Sequence, residues 1–216
     1  RARRNSPHTP LPPRPRFVWR QKILRYNYNV IKPTMSKNIV KFFSYVVKEK
    51  VEGLKALFGR RNLLYEDAVL PGYELCIQTP KDLSGIVPIN SPLKMSPQEI
   101  IRKNFGEAYE LYTIRANPNK TVPGKIWYVS QEEFEYLREW EMIDYGMSED
   151  IIAKAKTEDG DLVTVRTYGL VKNPEKITKV IDSSYIREEM PTKEKLARKR
   201  QVRLDYIARK KAEKKT

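Results

Sequence analysis

The stretch "GKIWYVSQEEFEYLREWE", residues 124–141, predicts a buried strand that runs directly into a capped helix. Its first six residues are rich in β-branched and aromatic side chains, which favour a strand. Ser130 is followed three residues later by Glu133, which is the capping-box pattern in which each side chain satisfies a free backbone amide of the first helical turn. The strand is therefore expected to end, and the helix to begin, at Ser130.

The helix in this stretch places a carboxylate on its apolar face. Phe134, Leu137 and Glu141 recur at i, i+3 and i+7, on one side of a 3.6-residue period. The other glutamates of the helix lie mostly elsewhere, where water reaches them. Burial beside apolar side chains raises the pKa of a carboxyl group, which is what a general base that works near neutral pH requires.

Patterns of strand and helix flank this stretch on both sides. Lys41–Val47 is rich in aromatic and β-branched residues and predicts a buried strand, and "KVEGLKALFG", residues 50–59, has helical spacing and a C-terminal glycine. "AVLPGYELCIQ", residues 68–78, predicts a strand by its alternation. Residues 151–171 predict a hairpin that turns at Asp159-Gly160.

The remaining segments carry weaker signals. Residues 79–124 are proline-rich and predict a long connection, interrupted by a short helix in "SPQEIIRKNFG". Residues 1–16 combine prolines and arginines and are expected to run extended. The last residues, from Thr192, predict a basic helix whose apolar stripe is too sparse to bury much by itself, so we expect it to need RNA or another protein as a partner.

Charge divides the chain into a body and two arms. The 216 residues carry 42 Lys and Arg against 27 Asp and Glu, a net charge of +15. Residues 1–50 hold 13 basic and one acidic residue, and residues 186–216 hold 12 basic and five acidic ones, so the body between them is mildly acidic. Such basic arms indicate a polyanionic partner, with RNA favoured over an anionic membrane. The alternative interpretation is that the arms are disordered or serve only solubility.

Several kinds of site are excluded by composition. A single cysteine, Cys76, and a single histidine, His8, exclude an internal disulfide, a Cys/His metal site and a Cys–His or Ser–His–Asp constellation in the folded body. We therefore expect no metal and no cofactor. No apolar run approaches the roughly 20 residues of a membrane span. The start at Arg1, before the arginine-rich and acid-free residues 1–16, is interpreted as the mature end left after cleavage of an organelle presequence or as an arbitrary boundary.

The order of motifs resembles the gamma-glutamylcyclotransferase-like (AIG2-like) family over residues 40–172. "AVLPGYEL", residues 68–75, is similar to the family's "A-x-LPGY-x-L" strand, and "GKIWYVSQEEFEYLREWE" is similar in order and spacing to its strand and its helix ending in "LD-x-x-EG". "VRTYGLV", residues 165–171, resembles the second strand of its hairpin. The resemblance implies an α+β fold with a small mixed β-barrel and flanking helices. It divides the chain into a basic arm (1–39), the domain (40–185) and a basic helical extension (186–216).

The resemblance also implies a catalytic carboxylate. In the family the glutamate at the helix end is the acid/base that takes up a proton as a gamma-glutamyl amine attacks its own side-chain carbonyl, which releases 5-oxoproline. The matching residue is Glu141, and Tyr45 matches the tyrosine that opens the family's "YGSN" loop.

The rest of that site departs from the family. Val46, Val47 and Lys48 replace the Gly, Ser and Asn of the loop that offers backbone amides to the substrate, and β-branched valine resists positive φ. Met142 replaces the glycine after the glutamate, and Arg138 replaces the preceding Asp. Without the backbone donors of that loop, Glu141 is interpreted as a retained residue that has lost its catalytic function. An alternative alignment places the loop at "FGRRN", residues 58–62, and would delete the first strand and helix.

Three functions remain open from the sequence. The leading hypothesis is a non-catalytic structural subunit of a large ribonucleoprotein, most specifically the mitochondrial ribosome in the matrix, held by rRNA and ribosomal proteins. The alternatives are an active gamma-glutamylcyclotransferase and an accessory subunit of a mitochondrial membrane complex. The expected RNA- or partner-binding residues are basic or aromatic and lie in the two arms: Arg14, Arg16, Trp19, Arg20, Lys22, Arg25, Arg198, Lys199, Arg200, Arg203, Arg209 and Lys210.

Overall fold

The computed structural model describes residues 38–45, 51–86, 95–146, 148–169, 179–180 and 192–214. These ranges contain six strands and four α-helices. In chain order they are β1 (Ile39–Ser44), α1 (Val51–Phe58), β2 (Leu64–Gln78), α2 (Pro97–Phe105), β3 (Leu111–Ser130), α3 (Gln131–Trp140), β4 (Glu149–Thr157), β5 (Leu162–Gly169), β6 (Lys179–Val180) and α4 (Lys193–Glu213). A 3-10 turn, Ile143–Tyr145, follows α3.

Five strands close into a mixed barrel. They are paired in the order β3-β1-β5-β4-β2, and β2 pairs with β3 again to complete the ring, while β6 adds to β2. All of these pairs are antiparallel except β1 with β5, which are parallel and paired at Phe42 with Arg166. The predicted α+β class, a small mixed barrel with flanking helices, is confirmed.

Most of the local predictions are confirmed. Ser130 and Glu133 form the capping box of α3, and α2 begins with a second one at Ser96 and Glu99. The β4–β5 hairpin turns at Gly160, whose φ of +93° is the left-handed conformation that glycine favours. Since β1 and α1 are both present, the alternative alignment that deletes them is wrong.

The predicted connection at residues 79–124 is wrong in its last part, because β3 begins at Leu111. Leu111–Ala116 pairs with the second half of β2, and residues 121–128 pair with its first half. The register shifts between Pro71 and Tyr73 of β2, so Pro118 falls in a part of β3 without a β2 partner, where no ladder donor is needed. Pro118 thus marks an irregularity within a long strand.

The hydrophobic core joins the barrel to α1 and α3. Phe42 of β1 packs its ring on Phe134 of α3 and on Tyr168 of β5, with ring centroids 6.0 and 5.7 Å apart. Leu54 and Leu57 of α1 are fully buried in the same cluster. Arg60, just after α1, ties the two helices together, since its guanidinium binds both Glu133 oxygens, one of them at 3.0 Å.

The basic C-terminal helix packs on its own domain, which corrects the expectation that it needs an outside partner. α4 lies against α1 and α3. Tyr206 meets Tyr136 edge to face at 5.3 Å, and Arg209 forms an ion pair with Glu139 of α3. The sparse apolar stripe suffices because aromatic and charged contacts add to it.

We predict that Gly124→Ala lowers the free energy of unfolding by about 1–3 kcal/mol, as overpacking of a tight core does. A Cβ at this position would lie 2.5 Å from Cζ of Phe43 and closer still to the carbonyl oxygen of Ser44, so β1 and β3 would have to separate. Urea unfolding measures the change. Lys120→Ala, at an exposed position of the same strand, is the control. Equal stability of the two variants would contradict this account of the contact between β1 and β3.

Candidate functional site

Glu141 stands at the C-terminal end of α3, as the helix pattern predicts. Its backbone N–H donates to the carbonyl of Leu137 at 2.8 Å and closes the last turn. The next residue, Met142, has a left-handed φ of +49°, which no other non-glycine residue in the described ranges adopts. The chain therefore keeps the conformation that favours the family's glycine, although methionine occupies the position. Met142 packs beside Leu83, Ile86 and Ile101, which helps to hold this conformation.

Three tyrosines lie near the Glu141 carboxyl group. Tyr168 of β5 is within hydrogen-bonding range and donates its hydroxyl proton to the carboxylate. Tyr45, immediately after β1, is fully buried, and its ring centroid is 5.0 Å from that of Tyr168. Tyr109, between α2 and β3, is also close enough for the Glu141 charge to act on it. The site thus gathers side chains from three separate parts of the chain around one carboxyl group.

Burial dominates the electrostatics of this site. Loss of water raises the pKa of Glu141 to about 7, while the nearby charge of Lys195 and the hydrogen bond from Tyr168 act in the opposite direction. Burial and the Glu141 charge raise the pKa of Tyr109 to about 12. The same two causes hold the pKa values of Tyr45 and Tyr168 well above the usual range for tyrosine. Near neutral pH the carboxyl group can therefore accept or release a proton, whereas the tyrosines remain hydrogen-bond donors.

The sequence identified part of this site. Glu141 and Tyr45, the two residues matched to the family's site, lie near each other, since the charge of Glu141 acts on Tyr45. Their predicted catalytic roles stay predictions. Tyr168 was not singled out, although "VRTYGLV" contains the tyrosine that matches the family's hairpin strand. Tyr109 had no signal, because it lies in a segment interpreted as a loop. Val46, Val47 and Lys48 lie outside the described residues, so their predicted effect on the substrate loop stays a prediction.

The predicted RNA-binding residues divide into three groups. The first group belongs to the N-terminal arm and lies outside the described residues: Arg14, Arg16, Trp19, Arg20, Lys22 and Arg25.

On α4, Arg198 and Arg200 are exposed, and Lys210 is exposed while it pairs with Glu213 at 2.7 Å. Arg209 is exposed in part but engages Glu139.

The third group faces the domain. Lys199 is fully buried, with Nζ 4.3 Å from the centroid of the Trp140 ring, and burial lowers its pKa to about 7. Arg203 is half-buried, and its guanidinium occupies the space in front of Gly59. These two side chains hold α4 in place and do not present their charge to solvent, so RNA binding stays a prediction for the exposed ones.

The described ranges contain no group of three or more His, Cys, Asp or Glu side chains placed to bind a metal ion. Within the same ranges, no helix has the length and apolar character that crossing a membrane requires. Two depressions open on the described surface, of about 500 and 260 Å³, and Glu141 lines neither of them.

Comparison with known proteins gives structural neighbours alone. No protein-family model matches the chain, and no curated protein matches it. A solved gamma-glutamyl cyclotransferase is 16% identical, with a TM-score of 0.45 over 66% of this chain and 70% of that one. The uncharacterized human protein loc79017 is 17% identical, with a TM-score of 0.43 over 67% of this chain and 71% of that one. A mouse AIG2-like protein is 15% identical, with a TM-score of 0.38 over 72% of this chain and 98% of that one.

Two of these neighbours carry the names of the family that the motifs resemble, gamma-glutamyl cyclotransferase and AIG2-like protein. At such identities and scores the likeness carries no information on activity. What the site can do follows from Glu141 and its tyrosines.

We predict that Glu141→Gln removes a pH dependence of stability. A carboxyl group whose pKa is higher in the folded than in the unfolded protein stabilises the fold fully below the unfolded value of 4.5. That contribution is lost as the pH rises towards 7, and the loss is about 3 kcal/mol in total. Between pH 4.5 and 8 the parent should therefore lose stability relative to the variant in urea unfolding. Glu158→Gln, in the exposed β4–β5 turn, is the control, and parallel profiles of parent and Glu141→Gln would refute the raised pKa.

Proposed function

We propose that this chain is a non-catalytic gamma-glutamylcyclotransferase-like domain that serves as a structural subunit of a large ribonucleoprotein. The observation that carries the proposal is the arrangement of α4, which packs one side on α1 and α3 and turns a second, basic side to solvent. Such a helix is ordered before it meets a partner, so binding does not pay the entropy of folding it.

The outer side of α4 is strongly basic. Tyr206 and Arg209 fix the helix through Tyr136 and Glu139, so the charges around them are held on a rigid surface. Phosphate groups bind such charges by releasing counterions, without a requirement for sequence. The exposed basic side chains of the helix are Lys193, Lys195, Arg198, Arg200, Arg209, Lys210 and Lys211.

The surroundings of Glu141 support a role without catalysis. The carboxyl group accepts a hydrogen bond from Tyr168 of the domain itself, and Lys195 of α4 lies near it. In the sequence, valines and a lysine replace the loop that would supply backbone amides to a substrate. One acid/base group without preorganised donors gives little stabilisation of a transition state.

The specific assembly we propose is the mitochondrial ribosome, in the matrix, with rRNA and ribosomal proteins as partners. Support for this comes from composition alone: residues 1–16 are rich in arginine and free of acidic residues, and the whole chain carries +15. Segments of this composition are typical of mitochondrial targeting and of RNA contact.

An active gamma-glutamylcyclotransferase is the second candidate, and one observation favours it. Burial raises the pKa of Glu141 to about 7, which suits a general base at neutral pH. The two candidates differ in whether that proton moves to and from a substrate. Incubation of the full chain with gamma-glutamyl dipeptides and measurement of 5-oxoproline separates them. The proposal expects no release above that of Glu141→Gln, whereas turnover that disappears in this variant would establish the enzyme.

RNA binding tests the proposal independently. We predict that the full chain binds a fluorescein-labelled RNA stem-loop with strongly salt-dependent affinity. The triple variant Arg198→Gln, Arg200→Gln, Lys211→Gln should lower the log–log salt slope by about 2, since each phosphate contact contributes about 0.7–0.9. Lys120→Gln, Lys154→Gln, Lys156→Gln is the matched control on exposed barrel positions. An equal loss of slope in both triple variants would mean that net charge, and not α4, determines binding.

A further inference from the structure

The barrel has an open seam between β1 and β5. In the described residues these parallel strands are paired at one position, Phe42 with Arg166, and the pairing does not continue towards their N-terminal ends. On its other edge β1 pairs with β3 along its whole length, from Ile39 to Ser44. β5 likewise pairs with β4 from Leu162 to Gly169. Two strand edges therefore face each other across the seam with backbone groups directed into it.

A groove of about 500 Å³ fills this seam. Its described lining residues are mostly apolar, and they come from both strands and from β4: Ile39, Val40, Lys41, Ile152, Leu162, Val163, Thr164, Val165 and Arg166. Ile152 is 74% exposed and Leu162 is 64% exposed, although both are large apolar side chains. Apolar groups at this exposure, next to free strand edges, are typical of a docking site.

The rim of the groove is cationic. Lys41 is exposed on β1, and Lys154 of β4 is exposed while its Nζ donates to the hydroxyl of Thr164 at 2.6 Å. The described lining residues include no carboxylate.

Ile152 and Leu162 lie on the same face as Arg166, and Lys41 lies on the opposite face because its neighbour Phe42 is paired with Arg166. A strand in the seam would therefore meet exposed apolar side chains on one face and the Lys41 charge on the other.

We propose that this seam binds an extended peptide segment of a partner protein, which adds a strand between β1 and β5. The peptide alternates apolar with acidic residues, because successive side chains of a strand point to opposite sides. Its apolar side chains contact Ile152 and Leu162, which lie on one face of the β4–β5 pair. Its acidic side chains, on the opposite face, reach Lys41, and its backbone pairs with the facing strand edges. Within the described residues, each edge without a partner across the seam spans three or four residues, or about 10–13 Å, which is sufficient for a short strand. The site uses neither Glu141 nor the exposed side of α4, so it is independent of the proposed function.

The probe for this site is a fluorescein-labelled octapeptide of alternating valine and glutamate, added to the full chain and followed by fluorescence anisotropy. Ile152→Glu and Lys41→Glu should each weaken binding at least tenfold. Both positions are exposed, so the fold should tolerate the changes. The matched controls are Leu64→Glu, at another exposed apolar position, and Lys120→Glu, at another exposed lysine, and both should bind as the parent does.

A second probe tests strand pairing itself. The same peptide with alternate backbone amides methylated keeps its side chains but loses donors, and it should bind at least tenfold more weakly. Equal affinity of both peptides, no binding of either, or equal losses in the groove and control variants would each overturn the proposal. Sodium oleate provides another test. If it bound the parent, did not bind Ile152→Glu and was not displaced by the peptide, the groove would hold an anionic amphiphile and the proposal would be wrong. If the chain formed a dimer that Ile152→Glu abolished and the peptide did not dissociate, the seam would bind a second copy of the chain, and the proposal would be wrong.

Discussion

The double pairing of β3 is the constraint on which the rest of the structure depends. One edge of this strand pairs with β1 and the other with β2, so Trp127 is opposite Phe42 on one side and Tyr65 on the other. This arrangement closes the barrel and fixes where β3 ends. Because α3 begins directly after Ser130, the register of the strands also fixes the direction of α3 and the position of Glu141 at its end. Gly124 permits the close approach of β1 on which this register relies.

The position of Glu141 has an energetic consequence. Loss of water raises the pKa of Glu141 to about 7, while the hydrogen bond from Tyr168 favours the ionised form. The same feature would serve a general base, so it does not distinguish an enzyme from a structural domain. What distinguishes them is the set of hydrogen-bond donors around a substrate.

Local features of the fold were predictable from the sequence, and features that depend on tertiary contacts were not. The capping box at Ser130 and the inward position of Glu141 follow from spacing within one helix, which a sequence displays directly. The first half of β3 was missed because its proline suggested a loop, whereas Pro118 lies in a bulge of β3 that depends on the pairing with β2. The burial of Lys199 depends on Trp140, a residue 59 positions away on a different helix, and no local pattern shows it.

The protonation of Glu141 is the most direct test of this account, because it reports whether the carboxyl group is enclosed as described. Carbon-13 NMR of the full chain, with labelled glutamate side chains and the Glu141→Gln variant to assign the signal, gives the titration of this one group. The account predicts a midpoint near pH 7. A midpoint near 4.5, the ordinary value for glutamate, would show that water reaches the carboxyl group freely and would contradict the enclosed site.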